Sequence, residues 1–158
     1  MNILEIRTLR GPNYWSGYWK KLIIMRLDIG AYEKKPTHKI KGLYDRMVEV
    51  LPTLEAHGCS YGEEGGFLKR VEEGTWAGHA IEHFALELQT LAGMDTGYGR
   101  TRETSEKGIY NVVFSYVEEE VGRFAGRAAV KLWLDLAANR DLREIREQLA
   151  RDIQEMRE

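Results

Sequence analysis

His79, Glu82 and His83 are the residues of this chain whose types and spacing could do chemistry. They stand in the string His79-Ala80-Ile81-Glu82-His83, and apolar residues recur around them at Ile81, Phe84, Ala85, Leu88 and Leu91. That period predicts an amphipathic helix over residues 75–92. Side chains four apart on a helix lie on one face, one turn above the other, so both imidazoles project to the same side. Glu82, three after His79, lies beside them. His-x-x-Glu-His is the inverted form of the zincin helix motif. Two imidazoles at this spacing can hold one Zn²⁺, leaving Glu82 to take a proton from a water that the ion acidifies. The plain alternative is two surface histidines beside a solvated glutamate.

Other elements must hold that helix in place. Ile3, Ile6 and Leu9 among Glu5, Arg7 and Arg10 predict a short, charged strand over residues 3–9, closed by the turn cluster Gly11-Pro12-Asn13. Tyr14, Trp15, Tyr18 and Trp19 follow, either capping the core or forming a surface that stacks on planar groups such as guanidinium. Residues 22–29 are apolar enough for a central strand. Leu43, Met47, Val50, Leu51 and Leu54 predict a helix over 43–54, with Pro52 near its end. His38 and His57 fall in loops and read as solvated residues. The glycine-rich stretch 57–66 lacks the lysine and spacing of a phosphate loop. Phe67, Leu68 and Val71 suggest a short helix closed at Gly74. Residues 93–105 read as a second glycine-rich loop carrying Arg100 and Arg102. Val112, Val113, Phe114 and Tyr116 predict a third strand over 109–116. Glu118-Glu119-Glu120 opens a helix over 118–137, where acidic residues suit the helix dipole. A charged amphipathic helix follows Asn139. Strands and helices do not alternate regularly, so the expected fold class is a single α+β domain, a small β-sheet packed against several helices.

Bulk properties narrow the class further. A chain of 158 residues fits one domain with a real core. A formal charge of −2 argues against a generally basic nucleic-acid binder. The single Cys59 permits no intramolecular disulfide, which suits a reducing cytoplasm. No stretch reaches the roughly 18 apolar residues of a membrane span, and residues 1–20 lack the pattern of a secretory signal. A cytoplasmic domain with no nucleic-acid or membrane partner is expected.

Several strings together resemble one family. They are Leu9-Arg-Gly-Pro-Asn-Tyr-Trp15, Glu64-Gly-Gly-Phe-Leu68, Gly74-Thr-Trp76, Glu82-His83, Ala85-Leu-Glu-Leu-Gln89 and Gly93-Met-Asp95. Gly99-Arg-Thr-Arg-Glu-Thr-Ser105, Glu119-Glu120 and Gly126-Arg-Ala-Ala129 continue the likeness. All resemble the N-terminal domain of cyanophycin synthetase, through nearly the whole chain to about residue 137. The resemblance implies a domain over residues 1–138, with 139–158 a charged helical tail leading to downstream ATP-using ligase domains absent from this chain. Cyanophycin is a polymer with a poly-aspartate backbone and arginine attached to each side-chain carboxylate. In the family this domain is associated with holding the polymer, and in some members it hydrolyses the polymer as a metallopeptidase, giving shorter chains that serve as primers.

On that resemblance the first expectation is a Zn²⁺-dependent endopeptidase with His79 and His83 as ligands and Glu82 as general base. A catalytic zinc usually has three protein ligands and a water. In His-x-x-Glu-His peptidases the third is a glutamate on a later helix, which the 118–120 run can offer. Glu120 shares a side with Val117 and Phe124 and ranks first, then Glu119, with Glu87 an outside choice. Arg100, Arg102, Trp15 and Glu64 are candidates for gripping the polymer. The second expectation is a non-catalytic domain that tethers polymer near the ligase sites. The third is an oligomer-forming domain (a homo-oligomer), suggested only by the terminal helix.

Overall fold

In a computed structural model, which describes residues 1–10, 20–58 and 62–158, the architecture is α+β. Four antiparallel strands, β1 (Asn2–Arg10), β2 (Lys21–Asp28), β3 (Gly99–Glu103) and β4 (Ile109–Ser115), form one sheet in the order β1-β2-β4-β3. The helices are α1 (Leu43–Val50), α2 (Gly66–Glu73), α3 (Ala77–Leu91), α4 (Glu119–Ala137) and α5 (Leu142–Arg157). The expected central strand is β2, paired to β1 on one side and β4 on the other. Its sequence explains the placing. Ile23, Met25 and Leu27 point into the main core, and Leu22 and Ile24 join Val113 in a smaller cluster. Both faces of this strand are thus buried and both its edges are paired, which is the environment a near-continuous apolar run fits.

The expected helix over 43–54 stops at Val50. Pro52 has no amide hydrogen to continue the ladder, and Pro52–Ala56 forms a separate 3₁₀ turn. The stretch read as the second glycine-rich loop contains β3, an edge strand missed because Gly-Arg-Thr-Arg-Glu shows no apolar alternation. Its strand state comes from pairing with β4, where Arg100 faces Val113 and Thr101 faces Val112.

Helices α3 and α4 pack against each other on the sheet, α3 over the β3–β4 half and α4 over the β1–β2 half. The motif helix is more enclosed than an amphipathic surface helix. Besides Ile81, Phe84 and Leu88, it buries Glu82, His83, Glu87 and Gln89. Burying each large apolar side chain contributes roughly 1.5–3 kcal/mol, and that burial holds the helix where its polar groups are costly. Gly78 lets α3 approach the sheet, since a Cβ there would stand 3.1 Å from the Tyr110 ring and 3.2 Å from Thr101. Helix α5 closes the outer side. Asp141 caps it by accepting from the Arg143 and Glu144 amides, and Ile145 and Met156 are buried.

Candidate metal centre

The first turns of α3 face a cleft of about 850 Å³. Thr75, His79, Glu82 and His83 line it from α3 and its approach, Gly99, Arg100 and Thr101 from β3, and His57 and Arg70 also line it. Among the described residues, the histidine, cysteine and acidic side chains whose ligand atoms converge are His79, Glu82 and His83, all within 4.8 Å of one another. They are not the solvated surface trio of the plain alternative. Glu82 and His83 are each 5 % exposed.

The two imidazoles are held at a defined separation. His79 Nε2 and His83 Nε2 stand 3.2 Å apart. Two nitrogens bound at 2.0–2.1 Å to one tetrahedral ion lie about 3.3 Å apart, so this donor pair fits a zinc-sized cation. Phe67 fixes the ring planes: it stacks on His83 at 3.9 Å between centroids, 16° from parallel, and meets His79 edge-on at 5.4 Å. The remaining nitrogens are also engaged. His79 Nδ1 is 2.9 Å from Thr75 Oγ1, and His83 Nδ1 is 2.8 Å from His57 Nδ1.

Burial sets the charge states. It lowers His79 to a pKa of about 4, with the nearby Arg70 cation acting the same way. It holds His83 well below the usual imidazole value, reinforced by His79, His57 and Arg70. Both rings are therefore neutral at pH 7, the form that binds metals. Burial pushes Glu82 up to about 7, against the pull of the Thr101 hydroxyl and the Arg100 charge. Thr101 Oγ1 donates to Glu82 Oε1 at 2.7 Å, and Oε2 lies 3.6 Å from His83 Nε2. Gly99 makes room for this carboxylate, because a Cβ there would stand 2.6 Å from Oε2.

The other expected residues are distributed differently. Glu120 is exposed in the first turn of α4, and Val117, with which it was to face inward, is 37 % exposed. That end of α4 lies by β1 and β2, where Lys21 Nζ donates to the Val117 carbonyl at 2.5 Å and Arg123 to Ile6 at 3.3 Å. The cluster sits on the β3 side, so the structure does not bring Glu120 to the imidazoles. Glu119 is exposed and paired with Arg123. Glu87 is buried but turned away, taken up by Thr53 and His57. Arg100 lies at the cleft wall, 5.2 Å above the Tyr98 ring. Arg102 on β3 and Glu64 are exposed and are not among the residues lining the cleft, and Trp15 lies outside the described residues. Sequence reasoning missed Thr75, Thr101, Arg70 and above all His57. No spacing pattern links His57 to a ring 26 positions later.

An α+β domain with a His-x-x-Glu-His helix walling an open cleft defines the class: a scaffold whose side chains can hold a divalent cation. The chain belongs to the cyanophycin synthase-like N-terminal domain family, whose model matches residues 24–138 and so takes in the whole motif. It is 55 % identical over 158 residues to the cyanophycin synthetase of Crocosphaera subtropica, covering 99 % of this chain. Against the cyanophycin synthetase of Synechocystis the identity is 53 % over 158 residues, covering 100 % of this chain. Against that of Geminocystis herdmanii it is 61 % over 132 residues, covering 84 % of this chain and 15 % of the relative. The chain spans only 18 % of the length of the first two relatives. Among the described residues no helix is long and apolar enough to cross a membrane.

Proposed function

We propose that this domain binds cyanophycin and cuts its poly-aspartate backbone as a zinc-dependent endopeptidase, supplying primers to ligase domains of a synthetase. The observation that carries the reading is the pair of neutral imidazole nitrogens 3.2 Å apart with the Glu82 carboxylate beside them in an open cleft. Zinc, when bound, would supply Lewis acidity to a water and to the scissile carbonyl. His79 and His83 would hold the ion. Glu82 is the base: its pKa near 7 matches proton transfer at neutral pH, because a group poised near the working pH is ionised enough to accept a proton and acidic enough to return it to the leaving amine. Thr101 keeps its carboxylate aimed into the cleft. Glu120, expected as third donor, lies over the β1–β2 half of the sheet, away from the cluster, which leaves His79 and His83 as the protein ligands of this reading and Glu82 beside them as the base. Arg70 and Arg100 in the cleft suit the free carboxylates that a polymer of aspartate and arginine carries.

Glu82→Gln keeps volume and hydrogen bonding but cannot take the proton. The variant should bind zinc and polymer normally while cleavage falls by roughly two orders of magnitude or more. His79→Ala and His83→Ala should lose stoichiometric zinc by elemental analysis. Product size after incubation with cyanophycin, with and without chelator, is the readout. A purely tethering domain gives polymer binding with no cleavage in wild type or variant. Cleavage undiminished in Glu82→Gln would assign the chemistry to another residue.

A further inference from the structure

Six polar side chains, the two candidate imidazole ligands among them, form a single file of five short contacts. Thr53 Oγ1 donates to Glu87 Oε1 at 2.7 Å, and His57 Nε2 lies 2.5 Å from Glu87 Oε2. His57 Nδ1 lies 2.8 Å from His83 Nδ1, His83 Nε2 lies 3.2 Å from His79 Nε2, and His79 Nδ1 lies 2.9 Å from Thr75 Oγ1. A neutral imidazole has one donor nitrogen and one acceptor, and an ionised carboxylate only accepts. Each bond in the file therefore sets the next.

The Glu87 end decides the direction. Burial alone would raise this carboxyl, but the hydrogen bonds from His57 and Thr53 outweigh it and hold Glu87 below the ordinary range. In its neutral form His57 must turn its one N–H, on Nε2, toward an ionised Glu87 2.5 Å away, which makes His57 Nδ1 an acceptor. His83 must then carry its proton on Nδ1 and present a bare lone pair on Nε2 to the cleft. In the metal-free chain His79 supplies the Nε2–H that this lone pair accepts, and Thr75 donates to His79 Nδ1.

We infer that Glu87 and His57 are positioning residues that lock His83 in the tautomer whose Nε2 lone pair is free for a metal. The inference rests on the metal-site reading for its consequence, though the tautomer exists without metal. A second consequence follows. Metal loading leaves His83 as it is and moves only the His79 proton, from Nε2 to Nδ1, where it is donated to Thr75 Oγ1 as that hydroxyl turns. No proton leaves the pair of rings.

Long-range ¹H–¹⁵N correlation of the histidine side chains tests this on the full chain at pH 8, above the ordinary imidazole value. In chelator, His83 should be the Nδ1–H form and His57 the Nε2–H form. On addition of zinc, His79 should change tautomer while His83 does not. Glu87→Gln keeps the side-chain volume but can turn an amide N–H toward His57, permitting the reverse order. It should shift His83 toward the Nε2–H form and weaken zinc binding by roughly 10–100-fold in a chelator competition. His57→Asn, whose Oδ1 can accept from His83 Nδ1, should stay within a few-fold of wild type, while His57→Phe should match Glu87→Gln. His83 found with its proton on Nε2 in wild type, His57 found doubly protonated, or Glu87→Gln with unchanged affinity and tautomer would overturn the relay. Failure of wild type to bind zinc while His83 still carries Nδ1–H would leave the relay standing and sink the metal-site reading instead.

Discussion

Glu82 shows how one side chain is shaped by opposing demands. A carboxyl 5 % exposed at the cleft wall is costly to ionise, yet the proposed hydrolysis needs its ionised form. The conflict appears as pH-dependent stability. The folded pKa of about 7 lies above the ordinary 4.5, so between those values the folded chain holds a proton that the unfolded chain has released. Stability from this group is therefore full below pH 4.5 and falls as pH rises through 7. Glu82→Gln removes the titration. In chelator the variant should gain on wild type by on the order of 2–3 kcal/mol between pH 4.5 and 8, read from paired thermal melts. A difference that stays flat across this range would mean that the carboxyl titrates normally. With zinc bound the gain should shrink, because the cation stabilises the carboxylate.

At the scale of elements, the site depends on how closely β3 approaches α3. Gly99 opens β3, and its missing side chain leaves the space that Glu82 Oε2 occupies. A methyl group there cannot be absorbed by swinging the carboxylate outward without breaking its bond from Thr101. Gly99→Ala should cost roughly 1–3 kcal/mol by overpacking. It should also reduce cleavage more than it reduces zinc binding, since His79 and His83 are held by Phe67 and by their own helix. Chemical denaturation together with the cleavage assay separates the two effects. A fully stable and fully active variant would show that β3 can move away at no cost.

For the whole molecule, the question is whether the charged terminal helix is a tail or part of the domain. Its surface is a net of exposed ion pairs such as Arg143–Glu147, worth little each. Its inner side buries Ile145 and Met156, and Arg157 donates to the Leu91 carbonyl at the end of the motif helix. Removing residues 139–158 should therefore cost roughly 3–6 kcal/mol, from two buried apolar side chains at 1.5–3 kcal/mol each. Urea unfolding of the shortened chain measures it. Unchanged stability would support a domain complete by residue 138 and a tail that serves only as a connection.

What the sequence by itself determined is what depends on neighbours along the chain. The period around Ile81, Phe84 and Leu88 gives the motif helix, and a helix places His79 and His83 one turn apart whatever surrounds it. The apolar run of residues 22–29 marks a strand buried on both faces, the place that β2 takes between β1 and β4. Tertiary structure alone decided the rest, because those features join residues far apart in the chain. β3 is a strand through its hydrogen bonds to β4, not through its own residues. Glu120 has an apolar neighbour on its helix face, but which end of the sheet that helix meets is a matter of packing. His57 reads as a solvated loop residue until the fold sets it against Glu87 and His83, 30 and 26 positions away. Local period can say which side chains share a face, and only the packed core says what that face meets.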